Sequence, residues 1–547
     1  MALTSLNKSI DVLVNLCFLF SLALFLLLFF FLPFSRPSPI HGCETTVFFN
    51  LRSADSSDPH GYIDYLHLFH CVFVNSPALA FILLALWLLV LLYLLGNTAS
   101  NYFCSSLESL SNVLHLSPTI AGVTFLSLGN GAPDLFSSIV SFAAGGGKSG
   151  VEIGLSSVLG GAFFVSSAVL AIISISVSRS SRPAISIDRV SFIRDICFLI
   201  VTLSFLLLIL IIGQIRIWEA MFFVSLYIIY IIMVSMNHCC GKDSGELSMP
   251  LLESIEVQQP QQTDKEIDSY LSSFNSDSSV PNQSWLLYLI ELPLYLPRRL
   301  TIPVITEERW SKPFAVASVT LSPILLATLW NSRGTEMNSE HSTTVLLFAS
   351  LLGLLLGVAA MECTANSHPP KRLQLPWLLS GFLMSVVWTY IIAGELVSLL
   401  VSIGEILGVR PSVLGVTVLA WGNSLGDLVA DVAMAVNGGE NGAQVAVAGC
   451  YAGPIFNTLV GLGISFVVST VKAYPSPFVI VSKDDSEFVL IGFLIGGFLW
   501  ALVMLPMKGM KLSRALGIGL LAIYCCFICM RVLQSFQILN FGVSLNV

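Results

Sequence analysis

Apolar runs of roughly 20 residues alternate with short polar segments along most of the chain. Runs of this length match the thickness that a membrane-spanning α-helix must cross, and only helices and closed barrels satisfy their backbone in lipid. The pattern therefore predicts an all-α polytopic membrane protein with about 13 spans. The spans group into a first half at 77–236, two additional spans at 313–376 and a second half at 377–547.

Two regions lie outside these spans. Residues 1–76 contain a Leu/Phe-rich run, which is either a retained anchor or a cleaved signal peptide, with retention slightly favoured, followed by a polar loop. Residues 237–312 form the one long polar linker, and its Ser/Gln/Asp/Glu-rich part is predicted to be disordered. An apolar stretch at 285–303 contains three prolines, so we expect it to lie at the membrane interface rather than to span.

One apolar run, 118–143, carries a single charge, Asp134, near its middle. An intramembrane carboxylate needs a partner, a cavity or a cation. Asn130 lies four residues earlier, on the same helical face. Because Pro133 has no N–H, the carbonyl of Gly129 loses its usual helical partner. A carboxylate, an amide and a freed carbonyl form the oxygen ligand set that hard cations prefer.

The arrangement occurs twice. A shift of 293 residues places the first run on a second one, 411–436, without a gap. Gly422, Asn423 and Asp427 then correspond to the glycine, asparagine and aspartate of the first motif. The register persists to Gly160 and Phe163, which fall on Gly453 and Phe456. Matched polar helices that contain glycine, within an internal repeat, are typical of the binding site of a secondary transporter.

Several further residues are weaker candidates for the same site. Thr124 and Thr417 lie about three turns before the two carboxylates, and each hydroxyl either binds the cation or bonds its own helix backbone. Asp431 follows Asp427 by one turn and provides either a second cation or proton site or a partner near the helix end. Ser157 and Cys450 are repeat equivalents in the following helices, and they are either ligands or small packing residues.

Basic residues indicate how the two halves are oriented. Arg179, Arg182 and Arg189 share one side with Arg298 and Arg299, and the positive-inside rule makes that side cytosolic. Seven helix steps, an odd number, then lead from the first motif helix to the second, so the two cross the membrane in opposite directions. The linker is cytosolic, and the polar loop before residue 77 is lumenal or extracellular.

Composition excludes several other classes of protein. The chain of 547 residues is 55% hydrophobic and 11% charged, whereas soluble proteins carry about a quarter charged residues. No basic patch with interleaved aromatic residues indicates nucleic-acid binding, and no Cys/His spacing indicates zinc. The chain calls for no cofactor, and its partners are inorganic cations and the lipid bilayer. Cys43 and Cys71 flank the polar loop and are a candidate disulfide pair.

Physical reasoning favours a cation antiporter. Two inward-facing carboxylates can bind one divalent cation, two or more monovalent cations, or protons, and alternation between inverted halves gives exchange. An intramembrane aspartyl protease is an alternative, because 425–427 resembles part of a Gly-x-Gly-Asp motif, but Ser424 occupies the first position. A cation channel is the other alternative, although an acidic closed site suits exchange better.

The hexapeptides Gly-Asn-Gly-Ala-Pro-Asp at 129–134 and Gly-Asn-Ser-Leu-Gly-Asp at 422–427 resemble those of the calcium/cation antiporter superfamily. The similarity is strongest to the plant cation/calcium exchangers and the mitochondrial sodium/calcium exchanger. The Gly-Tyr-Ile-Asp-Tyr segment at 61–65 and the Gly-Pro-Ile-Phe-Asn turn at 453–457 also fit.

This resemblance implies a core of two inverted five-helix halves with ions bound between the motif helices. It assigns acidic ligands to Asp134 and Asp427 and neighbouring ligands to Asn130 and Asn423. Many relatives carry Glu at both acidic positions, and Asn or Asp at Ser157 and Cys450, so the preferred cation and the number of counter-ions stay open. The candidates are Ca²⁺, Mn²⁺, K⁺ and Na⁺, with H⁺ as a further counter-ion. The hydrophobic start and the loop cysteines favour a membrane of the secretory pathway: plasma membrane, vacuole or endoplasmic reticulum.

Overall fold

A computed structural model describes most of the chain, and the described residues belong to one compact unit, 57–547. The described ranges are 61–73, 76–113, 127–143, 148–179, 187–240, 295–306, 309–333, 339–365, 369–370, 374–437, 442–480 and 486–535. The N-terminal apolar run, Cys43, Thr124 and the Ser/Gln-rich part of the linker lie outside them.

Helices dominate these ranges, and several contain a π-helical segment. They are α1 (77–113, with a π segment at Ala99–Cys104), α2 (Ser127–Asn130 and Ala132–Ala143), α3 (148–179, π at Phe164–Val169), α4 (Arg189–Ile212), α5 (Ile217–Cys240), α6 (Lys312–Arg333), α7 (Ser339–Cys363), α8 (Gln374–Leu407), α9 (411–437, π at Gly415–Leu419), α10 (442–473, π at Asn457–Leu462), α11 (Ser486–Met507) and α12 (Arg514–Ser535).

Two sets of five helices match in order and length. Helices α1 to α5 correspond to α8 to α12, and the 293-residue shift places the π segment of α3 on that of α10. Helices α6 and α7 are inserted between the sets and pack against each other. A short antiparallel pairing joins β1 (Gln214–Ile215) to β2 (Phe478–Val479), and so links the two sets. The predicted duplicated all-helical fold is confirmed.

The number of spans is settled only in part. Within the described residues, eleven helices are long and apolar enough to cross a membrane. The described part of α2, 127–143, falls short of that length because it begins only at Ser127. The total of about 13 therefore stays a prediction.

The two long helices α1 and α8 pack against each other and against the motif helices α2 and α9. A side chain at Gly422 of α9 would overlap Leu92 of α1, and one at Gly129 of α2 would lie 2.8 Å from Cys104 Sγ. Gly394 of α8 faces Val140 of α2. The glycines of both motifs thus allow α1 to approach closely.

The described end of the 285–303 stretch packs against the helix bundle, and its location at the membrane interface stays a prediction. Residues 295–306 are packed into the helix bundle, and Arg298 and Arg299 are only 2% and 1% exposed. The Arg298 guanidinium donates to Asn97 and Thr98 of α1. Both arginines thus have polar or aromatic partners within the bundle.

Cys71 is disulfide-bonded. Because Cys43 lies outside the described residues, its pairing with Cys71 stays a prediction. Cys526 and Cys529 of α12 are free thiols.

Candidate cation site

Asp134 sits directly after an interruption in α2. Helical structure stops at Asn130, turns at Gly131 and resumes at Ala132. Pro133 cannot donate to the carbonyl of Gly129, which explains why the interruption falls here. The Asp134 side chain is 3% exposed. A carboxylate buried this deeply must be hydrogen-bonded or bind a cation.

Two asparagines from the second half hold this carboxylate. Asn423 of α9 donates to Asp134 Oδ1 at 2.9 Å, and Asn457 of α10 donates to Asp134 Oδ2 at 2.7 Å. The Asn423 amide also lies 3.0 Å from Ser137 Oγ. Asp134 therefore joins three helices, two of which belong to the opposite half of the molecule.

These contacts fix the orientation of both amides. An ionised carboxylate only accepts hydrogen bonds, so each asparagine must turn its NH₂ group towards Asp134. The amide oxygens, Asn423 Oδ1 and Asn457 Oδ1, are buried and have no hydrogen-bond partner among the described residues. A buried polar atom without a partner costs free energy unless a ligand or water satisfies it. Both oxygens are chemically suited to bind a cation.

Three buried hydroxyl groups on the neighbouring helices also lack a hydrogen-bond partner among the described residues. They are the Oγ atoms of Ser157 and Ser424 and the Oγ1 of Thr458. A Cβ atom at Gly161 would lie 3.3 Å from Ser424 Oγ and 3.4 Å from Asp134 Oδ2. The absence of a side chain at Gly161 thus leaves room beside both oxygens.

Two further acids follow one another on α9. Asp427 is partly buried and lies within electrostatic reach of the Asp431 and Asp134 carboxylates. Cys450 Sγ of α10 contacts Asp431 Oδ2 at 3.6 Å. The negative charge of the site is thus concentrated on α2 and α9, as the paired motifs predict.

The other sequence candidates have different surroundings. Asn130 is exposed. Thr417 donates to the Val413 carbonyl at 2.6 Å, which is the backbone alternative considered for it. Ser157 is buried, and Cys450 contacts an acid. Their ligand roles stay predictions, as does that of Thr124, which is outside the described residues.

Asn457 and Ser137 are the residues that sequence reasoning missed. The repeat equivalent of Asn457 is Phe164, so a search for matched polar pairs passes over it. An asparagine in an apolar run, three residues after Pro454, is the signal that could have revealed it. Ser137 resembles an ordinary serine that bonds its own helix, and it does donate to the Pro133 carbonyl.

The ligand set consists largely of neutral oxygens. In the part of the chain that the structure describes, no group of three or more His, Cys, Asp or Glu residues is arranged to hold a metal ion. Amides and hydroxyls around few carboxylates bind cations less tightly than a cage of acids does. Such a site suits an ion that must leave again.

An all-helical membrane fold of two related halves, with a buried carboxylate held jointly by both, defines a secondary membrane transporter. A family model described as the sodium/calcium exchanger protein matches residues 84–236 and 377–533. The chain belongs to this family, and the resemblance stated from its motifs is confirmed.

Curated relatives agree over most of the chain. Cation/calcium exchanger 1 of Arabidopsis thaliana is 49% identical over 506 residues, which is 90% of this chain and 87% of that protein. Cation/calcium exchanger 2 of the same plant is 45% identical, covering 91% and 92%. The mitochondrial sodium/calcium exchanger protein of Rattus norvegicus is 31% identical, covering 89% and 88%.

Proposed function

We propose that the chain is a cation antiporter that exchanges Ca²⁺, or another divalent cation such as Mn²⁺, or K⁺ or Na⁺, against Na⁺, K⁺ or H⁺. The cation binds between α2 and α9, and the two halves alternate its access to the two sides of the membrane. Membership of the sodium/calcium exchanger family and the names of the relatives support this proposal. The observation that carries it is the pair of asparagine amides on Asp134.

These amides explain how one site can be stable both with and without its ion. Without a cation, the NH₂ groups of Asn423 and Asn457 compensate the Asp134 charge. When a cation binds, rotation of each amide by about half a turn brings its oxygen to the ion, because the two ends of the group are nearly the same size. The carboxylate then neutralises the cation directly. Each hydrogen bond that the site loses is therefore replaced by a contact with the ion.

Exchange requires that one ion leave before the other binds. The nearby charges of Asp427 and Asp431 raise the cation occupancy of the site, because an empty site would leave three acids close together. Movement between the two sides is therefore favourable only with cations or protons bound, which couples one flux to the other.

The test uses purified protein in sealed vesicles. Isotopic Ca²⁺, Mn²⁺, Na⁺ and K⁺ uptake is measured against imposed Na⁺, K⁺ or pH gradients. Asp134→Asn should abolish exchange, because it removes the charge that two amides surround. Glu362→Gln is the matched control, because Glu362 is an exposed acid at the end of α7. Normal exchange by a folded Asp134→Asn protein would contradict the proposal.

The alternatives predict other outcomes. A channel conducts without an ion on the opposite side, so uptake that needs no counter-ion would favour it. An aspartyl protease needs two acids that share a water molecule, whereas Asp134 is bound by two amides. Family membership also supports transport over proteolysis.

A further inference from the structure

Two short segments outside the five-helix sets are each hydrogen-bonded to both long helices, α1 and α8. The first, residues 61–73, is named the N-terminal plug, and the second, residues 295–306, is named the linker plug. The candidate site does not include either segment. Both contact the same two helices, which in turn contact the motif helices α2 and α9.

The N-terminal plug is bonded to a buried acid of α8. Glu395 accepts hydrogen bonds from the Tyr62 backbone N–H and, at 2.8 Å, from the Tyr65 hydroxyl. The Gly61 N–H donates to Ser398 Oγ at 3.0 Å. A Cβ at Gly61 would lie 2.9 Å from both Glu395 oxygens, so the plug backbone approaches the carboxylate directly. Trp87 of α1 completes the contact, with its indole N–H 3.0 Å from the Tyr65 hydroxyl.

The linker plug is bonded to α1 in a comparable way. Arg298 donates to Asn97 Oδ1 at 2.6 Å and to Thr98 Oγ1 at 3.0 Å, and its guanidinium lies 5.7 Å from the Tyr102 ring centroid. Trp388 of α8 donates its indole N–H to Thr301 Oγ1 at 2.7 Å. Each plug therefore has a hydroxyl that accepts an indole N–H from one long helix and polar bonds to the other long helix.

The two plugs bind repeat-equivalent turns. The 293-residue shift places Tyr102, beside the linker plug, on Glu395, which binds the N-terminal plug, and places Ser105 on Ser398. The order of contacts is opposite along the two helices. On α1 the N-terminal plug contacts Trp87 before the linker plug contacts Asn97, whereas on α8 the linker plug comes first. The helices are thus antiparallel, and the plugs contact them at two different levels.

The separation of the plugs along the helices is consistent with this arrangement. Ten residues separate Trp87 from Asn97, and seven separate Trp388 from Glu395. At 1.5 Å per residue, the plugs lie roughly 10–15 Å apart along the helix axes. Between them, Leu92 contacts the motif glycine Gly422. The plugs therefore flank the level at which α1 meets the second motif.

We infer that the two plugs are a matched pair of gates, each of which closes one end of the path to the cation site and releases in turn. This inference rests on the proposed exchange function. Each gate is closed by hydrogen bonds to α1 and α8, so opening at one end requires only that one plug leave its polar partners. Exchange without leak requires that the two gates are not open together, and similar bonding at both ends keeps their stabilities balanced.

Two hydroxyl deletions test this inference without removing a charge or much volume. Tyr65→Phe removes the hydroxyl that links Glu395 and Trp87, and Thr301→Val removes the hydroxyl that accepts from Trp388. Losing such a bond shifts an equilibrium between open and closed by about 3- to 10-fold. In vesicles of uniform orientation, Tyr65→Phe should lower the apparent KM for cation on the face that carries the N-terminal plug and raise it on the other face. Thr301→Val should do the reverse.

The double variant gives the sharpest outcome. Its KM shifts should cancel, while counter-ion-independent flux should rise, because a state with both ends open becomes easier to reach. The controls are Tyr62→Phe, whose side chain is 53% exposed on the same plug, and Thr328→Val, an exposed hydroxyl that bonds its own helix. Both should behave like the wild type.

A second measurement does not depend on transport. Hydrogen exchange of the Gly61 and Tyr62 amides should accelerate in Tyr65→Phe and slow in Thr301→Val, because easier opening of the linker plug keeps the N-terminal plug closed for more of the time. KM shifts in the same direction for both variants, or none in folded and active protein, would overturn the gating inference. Failure of the wild type to exchange any cation would instead overturn the proposed function, and the hydrogen-exchange result would still test how the plug is held.

Discussion

The Asn457 side chain donates a 2.7 Å hydrogen bond to Asp134 Oδ2 and so joins the two halves of the molecule at the buried acid. Asn457 is the first residue of the π segment of α10, and π segments are frequent at functional sites. The extra residue of a π turn widens the helix there and frees backbone groups. At this place α10 directs a polar side chain towards Asp134.

Replacing Asn457 by leucine should therefore abolish transport. The change keeps a similar volume but removes both the donor to Asp134 and the unpartnered Oδ1. Leaving a buried carboxylate oxygen without a donor costs about 1–3 kcal/mol, so thermal stability should fall as well. Uptake and unfolding temperature are the measurements. Asn457→Asp, which restores an oxygen, should recover cation binding in part, and equal loss in both variants would argue against a ligand role.

Gly131 faces Asn457 and should not tolerate a methyl group. A Cβ there would overlap Asn457 Oδ1 and lie 2.9 Å from the Ser127 carbonyl. Gly131→Ala should displace Asn457 from Asp134 and reduce exchange by tenfold or more, roughly the effect of 1.4 kcal/mol. Gly426→Ala is the matched control in the other motif, because a Cβ at Gly426 meets nothing within 4 Å. Similar exchange rates for the two variants would contradict this account.

The sequence predicts both motif helices, the duplication and the acids, because these depend on hydropathy and on a repeat that can be read along the chain. It predicts less about the surroundings of Asp134. The internal repeat makes Asn130 and Asn423 equivalent in sequence. In the structure, Asn423 donates to Asp134, whereas Asn130 is exposed. Gene duplication conserves position in the fold, but the two halves meet different neighbours.

Long-range contacts are the other feature of the structure that the sequence does not predict. The contact between Gly61 and Ser398 spans 337 residues, and that between Arg298 and Asn97 spans 201. Local propensity carries no information about such pairs. A proline-containing stretch with two arginines is typical of a membrane interface. Only the tertiary structure shows that Asn97 and Thr98 accept hydrogen bonds from Arg298 inside the bundle.

Gly160 and Gly453 are repeat equivalents that should respond differently to alanine. A Cβ at Gly160 would lie 2.8 Å from Val416 Cα and 3.0 Å from its carbonyl oxygen, whereas one at Gly453 would meet nothing within 4 Å. Gly160→Ala should push α3 away from α9 and destabilise the protein by about 1–3 kcal/mol, as overpacking does. Gly453→Ala should be neutral or stabilising by up to about 1 kcal/mol, because alanine is the better helix former. Thermal unfolding of both variants in the same detergent distinguishes these outcomes. Destabilisation by Gly453→Ala would contradict the open space that a Cβ at Gly453 meets.

Asp431 should tune affinity without being essential. It lies one turn beyond Asp427, repels it, and contacts the Cys450 thiol rather than the Asp134 amides. Asp431→Asn removes one nearby negative charge, so apparent cation affinity should fall by about 3- to 30-fold, as expected for unit charges several ångströms apart at an intermediate dielectric. The maximal exchange rate should be retained, in contrast to Asp134→Asn.

Measuring KM and the maximal rate for divalent and monovalent cations separates the two alternatives left open for Asp431. A larger loss for divalent ions indicates that Asp431 contributes to the ion site, whereas reduced stability with unchanged affinity indicates a purely structural contact with Cys450. Cys450→Ser, which keeps a donor to the acid, is the matched control and should leave KM close to that of the wild type.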